Sequence, residues 1–136
     1  NRRPMAQKEI KSLAIEKHPK ERKRANRGLS ATGKNVTSAE SAEEAFKTIK
    51  KDRTEVIWLD LVLPGMDGLT LVRKLKADAE TRDIPVIAVT TFPEIFSKAA
   101  ALAAGCDAYL LKPFSTRTLP DVINAVVAGK RNEPRQ

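Results

Sequence analysis

Glu55-Val56-Ile57-Trp58-Leu59-Asp60-Leu61-Val62-Leu63-Pro64-Gly65-Met66-Asp67-Gly68 is the stretch that decides the fold. It opens with an unbroken apolar run, stops on a carboxylate and turns at Pro64-Gly65. A strand with one face in water alternates polar and apolar residues, whereas a run without alternation is buried on both faces. Such strands belong to parallel sheets covered by helices on either side. Asp60 is therefore expected at the carboxyl end of a central strand, where open α/β sheets gather their chemistry.

The pattern repeats outward. Pro85-Val86-Ile87-Ala88-Val89-Thr90 is a second buried run, with proline tolerated at a strand's first residue. Ala108-Tyr109-Leu110-Leu111 is a third, ended by Lys112-Pro113. Weaker strand signals lie upstream at 12–16 and 35–39, which brings the count to five. Helical signals fill the gaps. Ser41-Ala42-Glu43-Glu44 reads as a capping box, followed by Ala45, Phe46 and Ile49 on one face. Leu69, Val72 and Leu75 form the next apolar stripe. An alanine-rich helix over 99–104 can close on Gly105 in a left-handed conformation. The last helix is expected near Thr118, with Pro120 in its first turn and Asp121 completing a second capping box. Strands and helices in alternation predict an α/β fold, a doubly wound (βα)5 three-layer sandwich. Glu16, Asp60, Thr90 and Lys112 then fall at four strand ends on one side of the sheet.

Composition narrows the functional classes. The chain has 136 residues, 41% hydrophobic and 31% charged, which suits one globular domain. No apolar run approaches the roughly 18–20 residues of a membrane span, so membrane insertion is not expected. No secretory signal pattern is present at residues 1–10, and a cytoplasmic location is expected. The single cysteine, Cys106, excludes an internal disulfide, and with one histidine beside it a structural zinc site is not expected. The net charge of +8 is confined to residues 1–34, which hold eleven basic and three acidic side chains, while the remainder is neutral. The densest part is Lys20-Glu21-Arg22-Lys23-Arg24, readable as a solvated helix face or as a contact for an anionic partner. Nucleic acid ranks last among such partners, because no helix-turn-helix or other DNA-reading unit is visible.

Taken together, the loop from Asp60 to Gly68, Thr90 thirty residues after Asp60, and Lys112-Pro113-Phe114 twenty-two residues after Thr90 resemble the response-regulator receiver domains of two-component signalling. The resemblance implies a flavodoxin-like sheet in the order 2-1-3-4-5 over residues 12–128. Residues 1–11 would be a basic extension and 129–136 a polar tail or linker. The family's roles fall on Asp60 as phosphoacceptor, Lys112 as the cation on the phosphoryl oxygens, Thr90 as the hydroxyl that moves to the phosphate and Tyr109 as the coupled aromatic switch. Pro113 would follow a cis peptide bond. A Mg2+ ion would be held by Asp60, the Val62 backbone carbonyl and a carboxylate at the end of the first strand. The donor would be a histidine kinase or phosphotransfer protein, the downstream target another protein, and a homodimer is open. Such a domain is a regulatory phosphoacceptor, not an enzyme in the ordinary sense. It would stand alone or be cut from a longer chain.

One departure stands out. The family carries two adjacent carboxylates after the first strand, where this chain has Glu16-Lys17. Counting back from Gly33, with Arg22, Ala25 and Leu29 on the intervening helix, puts Lys17 at the direct ligand's place; a slip of one residue puts Glu16 there. Lys17 would weaken Mg2+ binding, and its ammonium could pair with Asp60 in the metal's stead. The alternative function is then a pseudo-receiver, a protein-binding module that works without phosphorylation. Val62 and Phe92, both apolar, fall where the family's loops flank the hydrolytic water, which implies slow loss of any phosphoryl group.

Overall fold

The computed structural model describes residues 10–30, 35–115 and 117–132. Residues 1–9 of the expected basic extension, Gly33 and residues 133–136 lie outside them. Five strands alternate with five helices: β1 Lys11–Ile15, α1 Pro19–Ser30, β2 Asn35–Ala39, α2 Ala42–Lys51, β3 Val56–Asp60, α3 Gly68–Ala77, β4 Val86–Thr90, α4 Lys98–Ala104, β5 Ala108–Leu111 and α5 Leu119–Asn132. All neighbouring strands are parallel and the sheet order is β2-β1-β3-β4-β5. This is the flavodoxin-like doubly wound arrangement that the resemblance implies.

Strand side chains alternate between faces, and the two faces build two separate cores. Leu13, Ile15, Ile57, Leu59, Val86 and Ala88 pack beneath α2, α3 and α4. Ala14, Val56, Trp58, Ile87 and Val89 pack beneath α1 and α5, against Ala25, Leu29, Leu119, Ile123 and Val127. β3 and β4 are buried at every position, which is why neither shows alternation in sequence. Trp58 is the largest buried side chain, and it meets the Phe114 ring edge-on at 4.9 Å between centroids.

The helix ends follow local chemistry. Ser41 Oγ accepts from the Glu44 amide, while the Glu44 carboxylate accepts from Glu40 N–H, one residue before the position that a reciprocal box predicts. Asp67 caps α3 through the Thr70 amide. Gly105 closes α4 at φ +115°. Gly68 is required by proximity: a Cβ there would stand 2.6 Å from Leu61 Cα, because α3 starts directly against the end of β3. At α5 the expected second capping box is not formed. The Thr118 hydroxyl instead donates to the Ser115 carbonyl, while the Thr118 carbonyl accepts the Asp121 and Val122 amides. α5 also continues to Asn132, into the stretch that composition assigns to a tail.

α1 is the least self-sufficient helix. Pro19 starts it, and His18 C=O accepts the Arg22 amide. Lys20, Lys23, Arg24 and Arg27 recur at i, i+3, i+4 and i+7, and all four are exposed. Like charges at these spacings destabilise a helix by roughly 0.2–0.5 kcal/mol per pair. Packing of Ala25, Gly28 and Leu29 therefore holds α1 against its own surface charge.

Candidate functional site

At the carboxyl edge of the sheet, β1 hands over to Glu16, β3 ends on Asp60, β4 ends on Thr90 and β5 is followed by Lys112. The Lys112 ammonium draws two of these, Glu16 and Asp60, together. Its Nζ donates to Asp60 Oδ2 at 2.7 Å and to Glu16 Oε1 at 2.9 Å, and Glu21 Oε1 stands 3.6 Å away. Asp60 is 5% exposed and Glu16 only 1%. Their other oxygens are also engaged: Asp60 Oδ1 accepts the Val62 amide at 2.7 Å and Glu16 Oε2 accepts the His18 amide at 3.2 Å. Two buried carboxylates thus share one ammonium, which is the condition under which buried charge is tolerated.

The protonation states follow from this geometry. Burial, reinforced by the hydrogen bond and charge of Asp60, pushes the Glu16 carboxyl up to about 7, with Lys112 only partly offsetting the rise. Burial draws the Lys112 ammonium down, but its bonds to Asp60 and Glu16 and their charges outweigh that, and its pKa is raised. Lys112 is a fixed cation across the neutral range.

Thr90 is fully buried, and its Oγ1 accepts the Phe92 amide at 3.0 Å. The Thr90 carbonyl accepts the Lys112 amide at 2.9 Å, so the backbone of the hydroxyl residue and of the cation are joined directly. Tyr109 is partly buried, and its hydroxyl donates to the Phe96 carbonyl in the loop before α4. The Lys112–Pro113 peptide bond is cis. A cavity of about 580 Å³ opens over Asp60, with Val62 and Phe92 on one side, Lys112, Pro113 and Phe114 on another, and Lys20, Glu21 and Arg24 of α1 completing it.

Lys17 does not enter this pocket. Its side chain is exposed, and its carbonyl, with that of Glu16, accepts from Arg22 Nη1, which braces the β1–α1 turn. The cation paired with Asp60 is Lys112, and the suggestion that Lys17 fills this role is corrected: the chain turns so that Glu16, not its neighbour, faces Asp60. Sequence reading also missed Glu21 and Arg22. Glu21 is the single acid in α1, a signal visible only in retrospect, and Arg22 reaches Glu40 at 3.6 Å besides the two carbonyls.

Among the described residues no group of three or more His, Cys, Asp or Glu side chains is arranged to hold a metal ion. Magnesium needs less than that, since it is commonly held by one or two carboxylates and keeps several waters. Glu16 and Asp60 already close around one cation, the Lys112 ammonium, so their oxygens fit such an ion in kind, with one carboxylate fewer than a full set.

A parallel five-stranded sheet with a buried aspartate and hydroxyl and a partly buried lysine at its carboxyl edge defines a class of α/β proteins that handle charge at one strand end. The response regulator receiver domain family matches residues 13–124, and the chain belongs to that family, the receiver domains of two-component systems. It is 35% identical over 117 residues to protein PilH of Pseudomonas aeruginosa, covering 86% of this chain and 97% of PilH. It is 38% identical over 99 residues to the phosphate regulon transcriptional regulatory protein PhoB of the same organism, covering 73% of this chain and 43% of PhoB. The chain thus spans nearly all of PilH and less than half of PhoB. Among solved structures, the chemotaxis response regulator CheY4 of Vibrio cholerae superposes with a TM-score of 0.77 at 28% identity, covering 87% of this chain and 98% of CheY4. The receiver domain of the sensor histidine kinase PA1611 of Pseudomonas aeruginosa, solved with magnesium in its active-site cleft, gives 0.80 at 26% identity, covering 88% and 98%. No described helix is long and apolar enough to cross a membrane.

Proposed function

We propose that Asp60 accepts a phosphoryl group from a histidine kinase or phosphotransfer protein, and that Thr90 and Tyr109 carry the change to a protein-binding face. The observation that carries this reading is the 2.7 Å contact of Lys112 Nζ with Asp60 Oδ2 beside a buried Thr90 hydroxyl. An Asp60 oxygen attacks phosphorus, the donor's bond to phosphorus breaks with its electron pair leaving on the donor, and a mixed anhydride results. Such transfer depends mainly on positioning and on neutralising the equatorial oxygens. Lys112 supplies one fixed positive charge for them. Glu16, Asp60 and the Val62 carbonyl are the residues that would hold Mg2+, whose chemistry there is further counter-charge. The role is regulatory: the protein is modified and does not turn over a separate substrate.

The test is intact-mass analysis after incubation with acetyl phosphate and Mg2+. One phosphoryl mass should appear in the natural protein and be absent in Asp60→Asn. If no mass is added across a wide range of Mg2+, the reading fails. A second reading, a phosphorylation-independent binding module, draws on Lys17 standing where the family has a carboxylate and on Lys112 holding both remaining carboxylates. The same measurement separates the two.

A further inference from the structure

The amino edge of the sheet, opposite Asp60, holds a second cavity of about 430 Å³. Helices in this fold run back against the strands, so α2 and α5 bring their carboxyl-terminal halves to it. The segments just before β3 and β4 complete it. Ile49, Ile84, Pro85 and Val127 make apolar walls, and Thr54 lines the cavity beside them. Thr54 is only 8% exposed, and its hydroxyl makes no hydrogen bond to any described residue. A buried hydroxyl without a partner costs free energy, so this one stands ready to bond what enters. The charge on the walls selects the sign of that occupant. Glu80 and Asp83 are exposed, and neither carboxylate is paired among the described residues. Glu55 is already held, its Oε1 accepting the Lys11 amide at 3.0 Å. Against these three acids, Arg53 is the one base lining the cavity among the described residues. The last turn of α2 adds the negative end of a helix dipole, which favours a cation. Lys50 and Lys51 of that turn are exposed and do not line the cavity.

We infer that this cavity binds a small organic ammonium ion with an apolar body. The ammonium answers to Glu80, Asp83 and the Thr54 oxygen, and the body to the four apolar side chains. The assignment does not rest on the phosphoacceptor reading. A bare metal ion is the poorer occupant, because apolar walls offer it no ligand and no described group of three acids is arranged to hold one. An anion would meet two unpaired carboxylates. The volume lies in the range of small-molecule sites, whose walls are mostly apolar with a few polar groups that fix orientation. A free amine with a broad body fills such walls better than the narrow stem of a partner's lysine.

The probe is 2-phenylethylamine as its ammonium salt, titrated into the isotopically labelled full chain and followed by amide chemical shifts. The shifts should saturate with a dissociation constant below about 10 mM. They should centre on residues 53–55, 80, 83, 84 and 127. 2-Phenylethanol keeps the body without the charge and should bind at least about threefold more weakly. Glu80→Gln with Asp83→Asn should weaken the amine by about that factor and leave the alcohol unaffected, which separates lost charge from lost fold. Thr54→Val should weaken the amine about twofold or more; should it disturb the start of β3, Thr54→Ser tests the hydroxyl and should retain binding. Nα-Acetyl-lysine amide, with the same ammonium on a protein-like stem, should bind more weakly than the amine. Tighter binding of that compound would overturn the free amine in favour of a partner's lysine. Shifts that do not saturate or that centre elsewhere, equal affinity for amine and alcohol, or indifference to the acidic double variant would overturn the site itself.

Discussion

Replacing Glu16 by glutamine should abolish a pH dependence of stability that is opposite in sign to the one carboxylates ordinarily produce. An Asp or Glu paired in the folded state usually has a depressed pKa and contributes stability that is lost toward acid. Glu16 is the opposite case: in the unfolded chain it ionises at 4.5, and in the folded protein at about 7. Between those values the folded state binds more protons than the unfolded one, so this group's contribution falls as pH rises and levels off above about 7. The difference amounts to roughly 3 kcal/mol at 1.36 kcal/mol per unit. The cause is concrete, since Glu16 is 1% exposed and shares the single Lys112 ammonium with Asp60. Glu16→Gln keeps a carbonyl to accept from Lys112 and removes the titration. Urea unfolding of both proteins in EDTA, from about pH 4.5 to about pH 8, gives the difference in stability, in which titrations common to both cancel. The natural protein should lose roughly 3 kcal/mol relative to Glu16→Gln over that range. A difference that stays flat, or that grows in favour of the natural protein toward pH 8, would refute the assignment of a raised pKa to Glu16.

Lys17→Asp should tighten Mg2+ binding by at least about tenfold, or 1.4 kcal/mol, by adding a third carboxylate to Glu16 and Asp60 and removing a positive charge near the dication. Quenching of Trp58, the one tryptophan, offers the readout, and an unchanged affinity would show that Lys17 does not oppose Mg2+ binding. Gly68→Ala should cost about 1–3 kcal/mol in unfolding experiments, because the new methyl meets Leu61 Cα and side chain at once. Once phosphorylated, the protein should lose the group over minutes or longer, with exposed Val62 and Phe92 at the cavity in place of polar groups that could position water. Decay of the phosphorylated mass within seconds would contradict this.

The fold was legible because β3 and β4 are buried on both faces, so that each leaves a continuous apolar run bounded by turn residues. β2, with partly exposed residues at alternate positions, left only a weak trace, and so did β1, where Ser12 is a buried polar group and buried Glu16 follows directly. The residues at the site were legible for a different reason: Asp60, Thr90 and Lys112 each stand immediately at a strand end, and strand ends are what apolar runs mark. Which way a side chain turns after a strand ends is not marked by any run. That is why Glu16 and Lys17 could not be separated in sequence, and why Glu21, one helical turn away, was invisible until α1 was placed against β1. The α5 end was misjudged because Gly129 and the polar residues after it resemble a tail, whereas the helix is carried on by the packing of Ile123 and Val127 upstream.

The placement of Glu16 changes how the Lys17 exchange must be weighed. Lys17 removes a carboxylate from the family's set, yet it does not bring its ammonium into the pocket. The charge closest to the Asp60 carboxylate is therefore set by Glu16, Asp60 and Lys112, with Glu21, Lys20 and Arg24 on the outer wall of the cavity. With Glu16 titrating near 7, a neutral solution leaves those three innermost groups between zero and one negative charge before any metal binds. A pocket with two ionised aspartates beside the acceptor would carry one or two more, and would need a divalent ion to become hospitable to a phosphoryl anion at all. One ligand fewer would weaken metal binding and, at the same time, lower the demand for it. Phosphorylation of Asp60 should consequently depend less steeply on Mg2+ in the natural protein than in Lys17→Asp, even though the variant binds the ion more tightly. The opposite ordering in a titration of labelling rate against Mg2+ would mean that coordination, and not net charge, governs this site.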